Sequence, residues 1–341
     1  MTSQGDSVIV SVNRPSGRAL EKLTSIRELG PFALLIVLSA VFNFAGPAFL
    51  STMNISNMLS YVPELGIMAL GMTLLMTAGE IDLSVGALFG FCPVLMFVLY
   101  NQRVMPFEAC FVVVMLAAIV IGLANGLIVT KVRASSLITT IGMMLIVRGT
   151  GLYITSGFPQ ATWQTESWIK EVVVGIVARA GDFTLLASLF WFIGLAVILH
   201  FVLNNVRFGN WILATGGNVK AARARGVDTD RVKIILFVLC ATLSGFAGVM
   251  DTLRIEAAYP IAGTGYELEV IAMVVIGGTL LYGGRGTIIG TVIGVLLLRT
   301  IRNGIIVVGV PGLAYNIFVG LIIIVMMSAH ALIERAQIGE S

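Results

Sequence analysis

The chain has 341 residues, of which 57% are hydrophobic and only 11% charged, and its mean hydropathy is +0.99. A soluble globule of this size would need far more charge on its outside, so the excess apolar surface must face lipid. A soluble enzyme, a disulfide scaffold and a disordered chain are excluded, and a net charge of +3 gives no nucleic-acid surface.

Residues 1–30 are polar and lack a signal-peptide pattern, so they form an expected cytoplasmic tail. A bilayer is crossed by about 20 apolar helical residues. Spans are expected near 31–49, 65–79, 84–100, 107–130, 137–154, 183–203, 234–253, 268–282, 287–302 and 313–332, which makes an all-α, polytopic domain of about ten helices over 31–332. The second, eighth and ninth are short for a full crossing, so tilts, breaks or partial spans are expected there. Cys92, Cys110 and Cys240 sit apart within apolar runs and read as small hydrophobic filling. No metal site is indicated.

Lys and Arg set the orientation. With the N-terminus inside, the cytoplasmic face collects Arg14, Arg18, Lys22, Arg27, Lys131, Arg133, the six basic residues Arg207, Lys220, Arg223, Arg225, Arg231 and Lys233, then Arg285 and Arg335. The outside receives Arg103, Lys170, Arg179, Arg254, Arg299 and Arg302. Both termini, including the tail 333–341, are then cytoplasmic, and 155–182 is a periplasmic loop. An internal echo pairs Asn125-Gly126 with Asn303-Gly304 on spans of opposite direction, as inverted repeats would. A competing echo pairs Gly71-x-Thr73-Leu74-Leu75 with Gly277-x-Thr279-Leu280-Leu281 in the same direction.

Polar residues within the spans are the candidates for function. Asp82 and Ser84 suit a helix cap before Val85; the alternative is a discontinuous helix along a solute path. Arg148 lies inside a span and needs a partner, expected to be Glu80, Asp82 or Glu64. Asn43, Asn125, Thr139, Thr140, Asn303 and Asn316 suit either a path for a neutral hydroxylated solute or helix–helix hydrogen bonds. Met68, Met72, Met76, Met143 and Met144 suit a weakly binding tunnel or gap filling. Trp163 and Trp168 read as an interfacial anchor or a receiving surface for a partner.

The long inside loop 204–233 encodes a short helix. Asn218 is a good N-cap, Val219–Arg225 follows, and Gly226 suits the left-handed position after the end. Two turns are not stable alone, so this helix must rest on something. Its basic residues suit anionic headgroups, and its isolation suits docking to a cytoplasmic protein.

Gly217-Asn218-x-x-Ala221-Ala222-Arg223-x-x-Gly226-Val227 resembles the coupling segment of permease subunits in ATP-binding-cassette importers of the ribose-type monosaccharide family. Gly79-Glu80-Ile81-Asp82-Leu83-Ser84-Val85-Gly86, Pro260-x-Ala262-Gly263-Thr264-Gly265-Tyr266-Glu267-Leu268 and Gly283-Gly284-Arg285-Gly286 match as well, over about residues 31–330. Glu80, Lys220 and Glu269 depart from the usual Gly, Glu and Asp. The resemblance implies a type II importer-like fold in the bacterial inner membrane. It also implies a pore of two permease copies, cytoplasmic ATPase subunits that use ATP and Mg, and a periplasmic solute-binding protein. Gly217, Asn218, Lys220, Ala221, Ala222, Arg223, Arg225 and Gly226 would then couple to the ATPase, while Glu64, Asp82, Ser84, Asn125, Thr139, Thr140, Arg148, Glu267, Asn303 and Asn316 are candidates for path or gating. Independently, no Gly-x-x-x-x-Gly-Lys-[Ser/Thr] occurs and no lysine follows a glycine, so this chain is expected to bind no cofactor and to perform no hydrolysis. The Gly277–Gly286 run reads as close packing or a tight interhelical turn. An ion-coupled secondary transporter is the alternative, and its usual mid-span ionisable groups are few here. A channel or membrane-embedded enzyme has neither a filter-like repeat nor a nucleophile–base pair in its favour.

Overall fold

The computed structural model describes residues 28–161 and 166–315, and beyond them 317, 318, 320, 321, 324, 325 and 328. Residues 1–27 and 333–341 of the tails, Trp163, Asn316 and half of the tenth expected span lie outside the described residues. The helices are α1 (Leu29–Ala45), α2 (Thr52–Thr77), α3 (Val85–Asn101), α4 (Phe107–Leu127, continued by a π turn over Ile128–Val132) and α5 (Ser136–Thr155). They continue with α6 (Trp168–Val174), α7 (Ala187–Asn205), α8 (Arg207–Gly217), α9 (Val219–Ala224), α10 (Thr229–Ile255), α11 (Tyr266–Ile276) and α12 (Ile288–Val307). Among the described residues, six of these are long and apolar enough to cross a membrane: α2, α4 with its π turn, α5, α7, α10 and α12. Together with the shorter apolar α1 and α3 they make a multi-pass bundle.

The bundle is built around α2. Every residue from Val62 to Thr77 is buried, so this stretch of the helix has no lipid-facing side. Its neighbours reach it through small residues. A Cβ on Gly71 would lie 3.1 Å from Cys240 Cα of α10, and Gly66 admits the ring of Phe192 from α7. Thr73 and Thr291 join α2 to α12 by a 2.6 Å hydroxyl contact. The same device recurs elsewhere: a Cβ on Gly122 would fall 2.7 Å from Phe237 O, one on Gly248 1.9 Å from Phe89 O, and one on Gly294 2.0 Å from Met273 O. Lipid gives apolar helices no reason to associate, so close approach through glycine is what lets dispersion hold them together. The outer faces carry exposed Leu116 and Val120 on α4, Ile138, Leu145 and Ile146 on α5, and Ile193, Val197 and Phe201 on α7, as lipid contact requires.

Several expectations are corrected. The second span is a full helix of 26 residues, because its polar first half (Asn54 to Tyr61) is also helical. The eighth is a partial span, as its shortness suggests, but with other bounds than 268–282: an 11-residue half-helix, α11, of about 16 Å, followed by a non-helical loop over 277–287. The sixth begins only at Ala187, since 183–186 is a strand. The chain is also not wholly α: β2 (Ile176–Ala180) and β3 (Phe183–Leu186) form an antiparallel hairpin, and β1 (Gln160–Ala161) pairs with β4 (Ala257–Ala258).

Gly248→Ala should lower thermal stability in detergent by about 1–3 kcal/mol, because the added methyl meets backbone at Phe89. Gly194→Ala on α7, with nothing within 4 Å of the new methyl, should leave it unchanged or raise it by up to about 1 kcal/mol. Thermal unfolding of the two purified variants checks the contrast.

Candidate functional site

Three places gather the polar residues. The first is the α8–α9 segment. Asn218 is extended (φ −158°, ψ 102°) and its Oδ1 accepts the Ala221 N–H at 3.0 Å, which caps α9. At the other end, Val227 N–H donates to Ala222 O at 3.1 Å and Gly226 N–H to Arg223 O at 2.9 Å, with Gly226 at φ +83°. This pair of bonds closes a six-residue helix at the position expected from Asn218 and Gly226. Only Ala222 of α9 is buried, so Asn218, Lys220, Ala221, Arg223 and Arg225 form an exposed face. Arg223 is held by Thr229 at 2.8 Å and by Asp230, which also pairs with Lys131.

The end of α8, which leads directly into α9, is seated backbone against backbone. A Cβ on Gly216 would lie 1.9 Å from Thr77 O and 2.5 Å from Gly284 N, and one on Gly283 2.7 Å from Gly79 Cα. Gly284 N–H donates to Thr77 O at 2.8 Å. The end of α2, the end of α8 and the 277–287 loop therefore meet at a junction of glycines, with Gly79, Gly283 and Gly284 all at positive φ.

The second place is the break between α2 and α3. Asp82 and Ser84 are wholly buried. Ser84 N–H and Oγ–H both donate to Asp82 Oδ1, the first at 2.8 Å, while Asn125 Nδ2 donates to Ser84 Oγ at 3.0 Å and reaches Asp82 Oδ2 at 3.4 Å. Leu83 N–H donates to Thr140 Oγ1 at 3.0 Å. Asp82 holds the turn that leads into α3 by accepting from Ser84, while Ser84, the residue before Val85, makes no side-chain bond to the helix N-terminus expected of a cap; the turn is enclosed by α4 and α5. Lys233 of α10 pairs with Glu80 here. Thr139 is half-buried and does not join this cluster.

The third place is at the far end of α2, α10 and α12 from α9. Glu64 is 4% exposed and pairs with Arg254, which also holds Asp251 at 2.8 Å and lies 4.1 Å over the Tyr61 ring. Asn303 Nδ2 donates to Asn54 Oδ1 at 3.1 Å. These groups, with Tyr266, Arg299 and Arg302, line a cavity of about 400 Å³. Charge distribution along the sequence marks Arg254, Arg299 and Arg302 only as outside charges. The one-turn spacing of Arg299 and Arg302 within an apolar run is the signal that marks them as bundle residues.

Arg148 has none of its expected partners. Its Nη2 lies 3.9 Å from Glu267 Oε2, since Glu80 is taken by Lys233, Glu64 by Arg254, and Asp82 by Ser84 and Asn125. The 260–267 loop folds into the bundle against Gly86 and Gly90, which brings Glu267 to α5. Trp168, 65% exposed, begins α6.

Residues 54–327 match the family described as the permease component of branched-chain amino acid transport systems. The chain belongs to a family of ATP-binding-cassette import permeases. It is 35% identical to the ribose import permease protein of Escherichia coli K12 over 312 residues, 91% of this chain and 95% of that one. The xylose/arabinose import permease protein of Sulfolobus acidocaldarius is 34% identical over 91% of this chain and 86% of its own. The galactose/methyl galactoside import permease protein of Escherichia coli K12 is 33% identical over 91% and 96%. No solved structure matches.

Removing one member of a buried pair leaves a charge without compensation, at a cost of about 3–5 kcal/mol. The Lys233–Glu80 pair, with side chains 17% and 12% exposed, is nearly in that class. Lys233→Met should destabilise the permease by about 2–4 kcal/mol, and adding Glu80→Gln should recover more than half of the loss. A double-mutant cycle by thermal unfolding measures it.

Proposed function

We propose that this chain is the membrane-spanning subunit of an importer that carries a monosaccharide or a related small polyol through the bacterial inner membrane, with a separate ATPase supplying the energy. The observation that carries this reading is the exposed α9 knob, which follows directly on the end of α8 that glycine backbone seats on the end of α2 and on the 277–287 loop. The relatives named for ribose, xylose or arabinose, and galactose support the solute class. Two copies form the pore, each with ten spans and both termini in the cytoplasm; a periplasmic binding protein delivers the solute.

In this orientation α9 is cytoplasmic and the 400 Å³ cavity faces the periplasm. The inverted-repeat reading draws support from helix direction. Asn125-Gly126 lies toward the α9 end of α4, Asn303-Gly304 lies toward the opposite end of α12, and each glycine admits a neighbouring helix. Gly217, Asn218, Lys220, Ala221, Arg223 and Arg225 meet the ATPase, while Ala222 and Gly226 hold the knob in shape. ATP binding draws the ATPase subunits together and α9 moves with them. Through the glycine junction that displacement reaches the break at Asp82 and the half-helix α11, whose two arrangements open the path to one side or the other. The permease makes no bond; it contributes different contacts in the two states. Asp82, Ser84, Asn125, Thr140, Arg148 and Glu267 sit where those contacts change.

Ala221→Trp alters only the exposed face of α9, so it should leave membrane insertion and thermal stability intact while reducing ATPase co-purification and uptake at least tenfold. Wild-type uptake by this variant would reject the docking role. Gly226→Pro, which removes both the positive φ and the N–H donated to Arg223, should have the same effect on uptake.

A further inference from the structure

The chain between α10 and α11 makes a detour into the bundle. At Ala257–Ala258 it is level with the Asn101 end of α3, because it pairs there with Gln160–Ala161, and Ala161 O accepts from Asn101 Nδ2 at 3.2 Å. By Ala262 and Gly263 it has moved along α3: a Cβ on Gly90 would fall 2.5 Å from Ala262 O, and one on Gly86 2.5 Å from Gly263 O. Those two glycines are eleven and fifteen residues from Asn101, about 16 Å and about 22 Å along the helix. A hydrocarbon core is about 30 Å thick, so residues 259–265 carry non-helical backbone to the middle of the membrane before α11 begins. The segment is a run of turns, with Ala262 N–H donating to Tyr259 O at 2.9 Å and Tyr266 N–H to Gly263 O at 3.1 Å.

One side of this segment packs on α3 and the other is open. Ile261 is 65% exposed and Leu268, in the first turn of α11, 62%; Thr264 and Gly265 between them are exposed as well. Exposed apolar helices suit lipid, but exposed non-helical backbone at this depth does not. It is tolerated only inside protein or along water. The Arg148–Glu267 pair on the same stretch keeps some access too, and a charged pair in the membrane carries the same restriction. Thr264 Oγ1 already donates to Ile261 O at 2.7 Å and can still accept, which water or a sugar hydroxyl satisfies and a dry apolar contact does not.

We propose that the open side of Ile261, Thr264, Gly265 and Leu268 lines the water-filled path of the solute at mid-membrane. This rests on the import reading and gives its path a wall: two small residues between two aliphatic ones, a surface for a neutral hydroxylated solute to pass along.

The test uses the full-length permease assembled with its ATPase in lipid nanodiscs. Ile261→Cys, Thr264→Cys and Leu268→Cys are compared with Val197→Cys on α7 and Val120→Cys on α4, whose native side chains are 63% and 62% exposed but face lipid; the native cysteines are buried. The probe is a methanethiosulfonate bearing a quaternary ammonium, which does not enter hydrocarbon. At least two of the three segment positions should be labelled ten times or more faster than either control, in the ATP-free or the ATP-bound state. If one variant does not assemble, the other two decide. Labelling as slow as at the controls in both states places the segment against lipid and overturns the proposal. Slow labelling together with ready disulfide formation between the two copies also overturns it, and assigns the segment to their contact. Either result beside active, ATP-driven uptake sinks this inference alone and leaves the import reading standing. An ATPase that never associates sinks the import reading, while the contrast in labelling can still be measured on the permease itself.

Discussion

Thr77, Gly79, Gly216, Gly283 and Gly284 belong to three separate stretches of chain, and they meet with no side chain larger than hydrogen between their backbones. A methyl on Gly216 would overlap Thr77 O, so the distance between α8 and α2 is set by main-chain atoms alone. Such a contact has almost no compliance: packed interiors transmit displacement because their atoms have nowhere to go. The two-turn α9 gains from it what its length denies it, a rigid base. Whatever pushes on the exposed face of α9 therefore pushes on the ends of the central helix and of the 277–287 loop.

Those are also the places where the backbone leaves the helix. In an apolar surrounding each freed N–H needs a partner, and non-helical chain is tolerated only where protein supplies one. The partners here are local and specific. Glu80 N–H donates to Leu75 O, Leu83 N–H to Thr140, Ser84 N–H to Asp82, Leu280 N–H to Arg285 O and Gly284 N–H to Thr77 O. Asp82, Thr140 and Asn125 are thus required by the break before any role toward a solute is considered. A break held by a few replaceable hydrogen bonds between rigid helices is a natural hinge.

Much of this was legible in the residues, for reasons that differ from place to place. The α9 knob was readable because caps are local: Asn218 and Gly226 act within a few residues of themselves. Helices α4, α5 and α10 were readable because lipid demands a continuous apolar run. The first half of α2 was not, since it lines a polar cavity and carries Asn54, Asn57 and Ser60 without losing helical structure. The shortness of α11 was legible but its end was not, because its apolar run continues into the 277–287 loop, where Gly277 and Gly278 stop the helix. The pairings of Arg148 with Glu267, Lys233 with Glu80 and Arg254 with Glu64 span 119, 153 and 190 residues, and no local pattern encodes them.

The central claim is that α9 and the broken helices move as one body. Spin labels at Lys220→Cys and Tyr282→Cys report on it, because both positions are exposed and the native cysteines are buried. In the assembled transporter, the distance between these labels within one copy should stay the same with and without bound ATP, while the distance between the two copies' Lys220→Cys labels changes by several ångströms. A distance within one copy that shifts as much as the one between copies would show that the glycine junction slips, and would contradict the account.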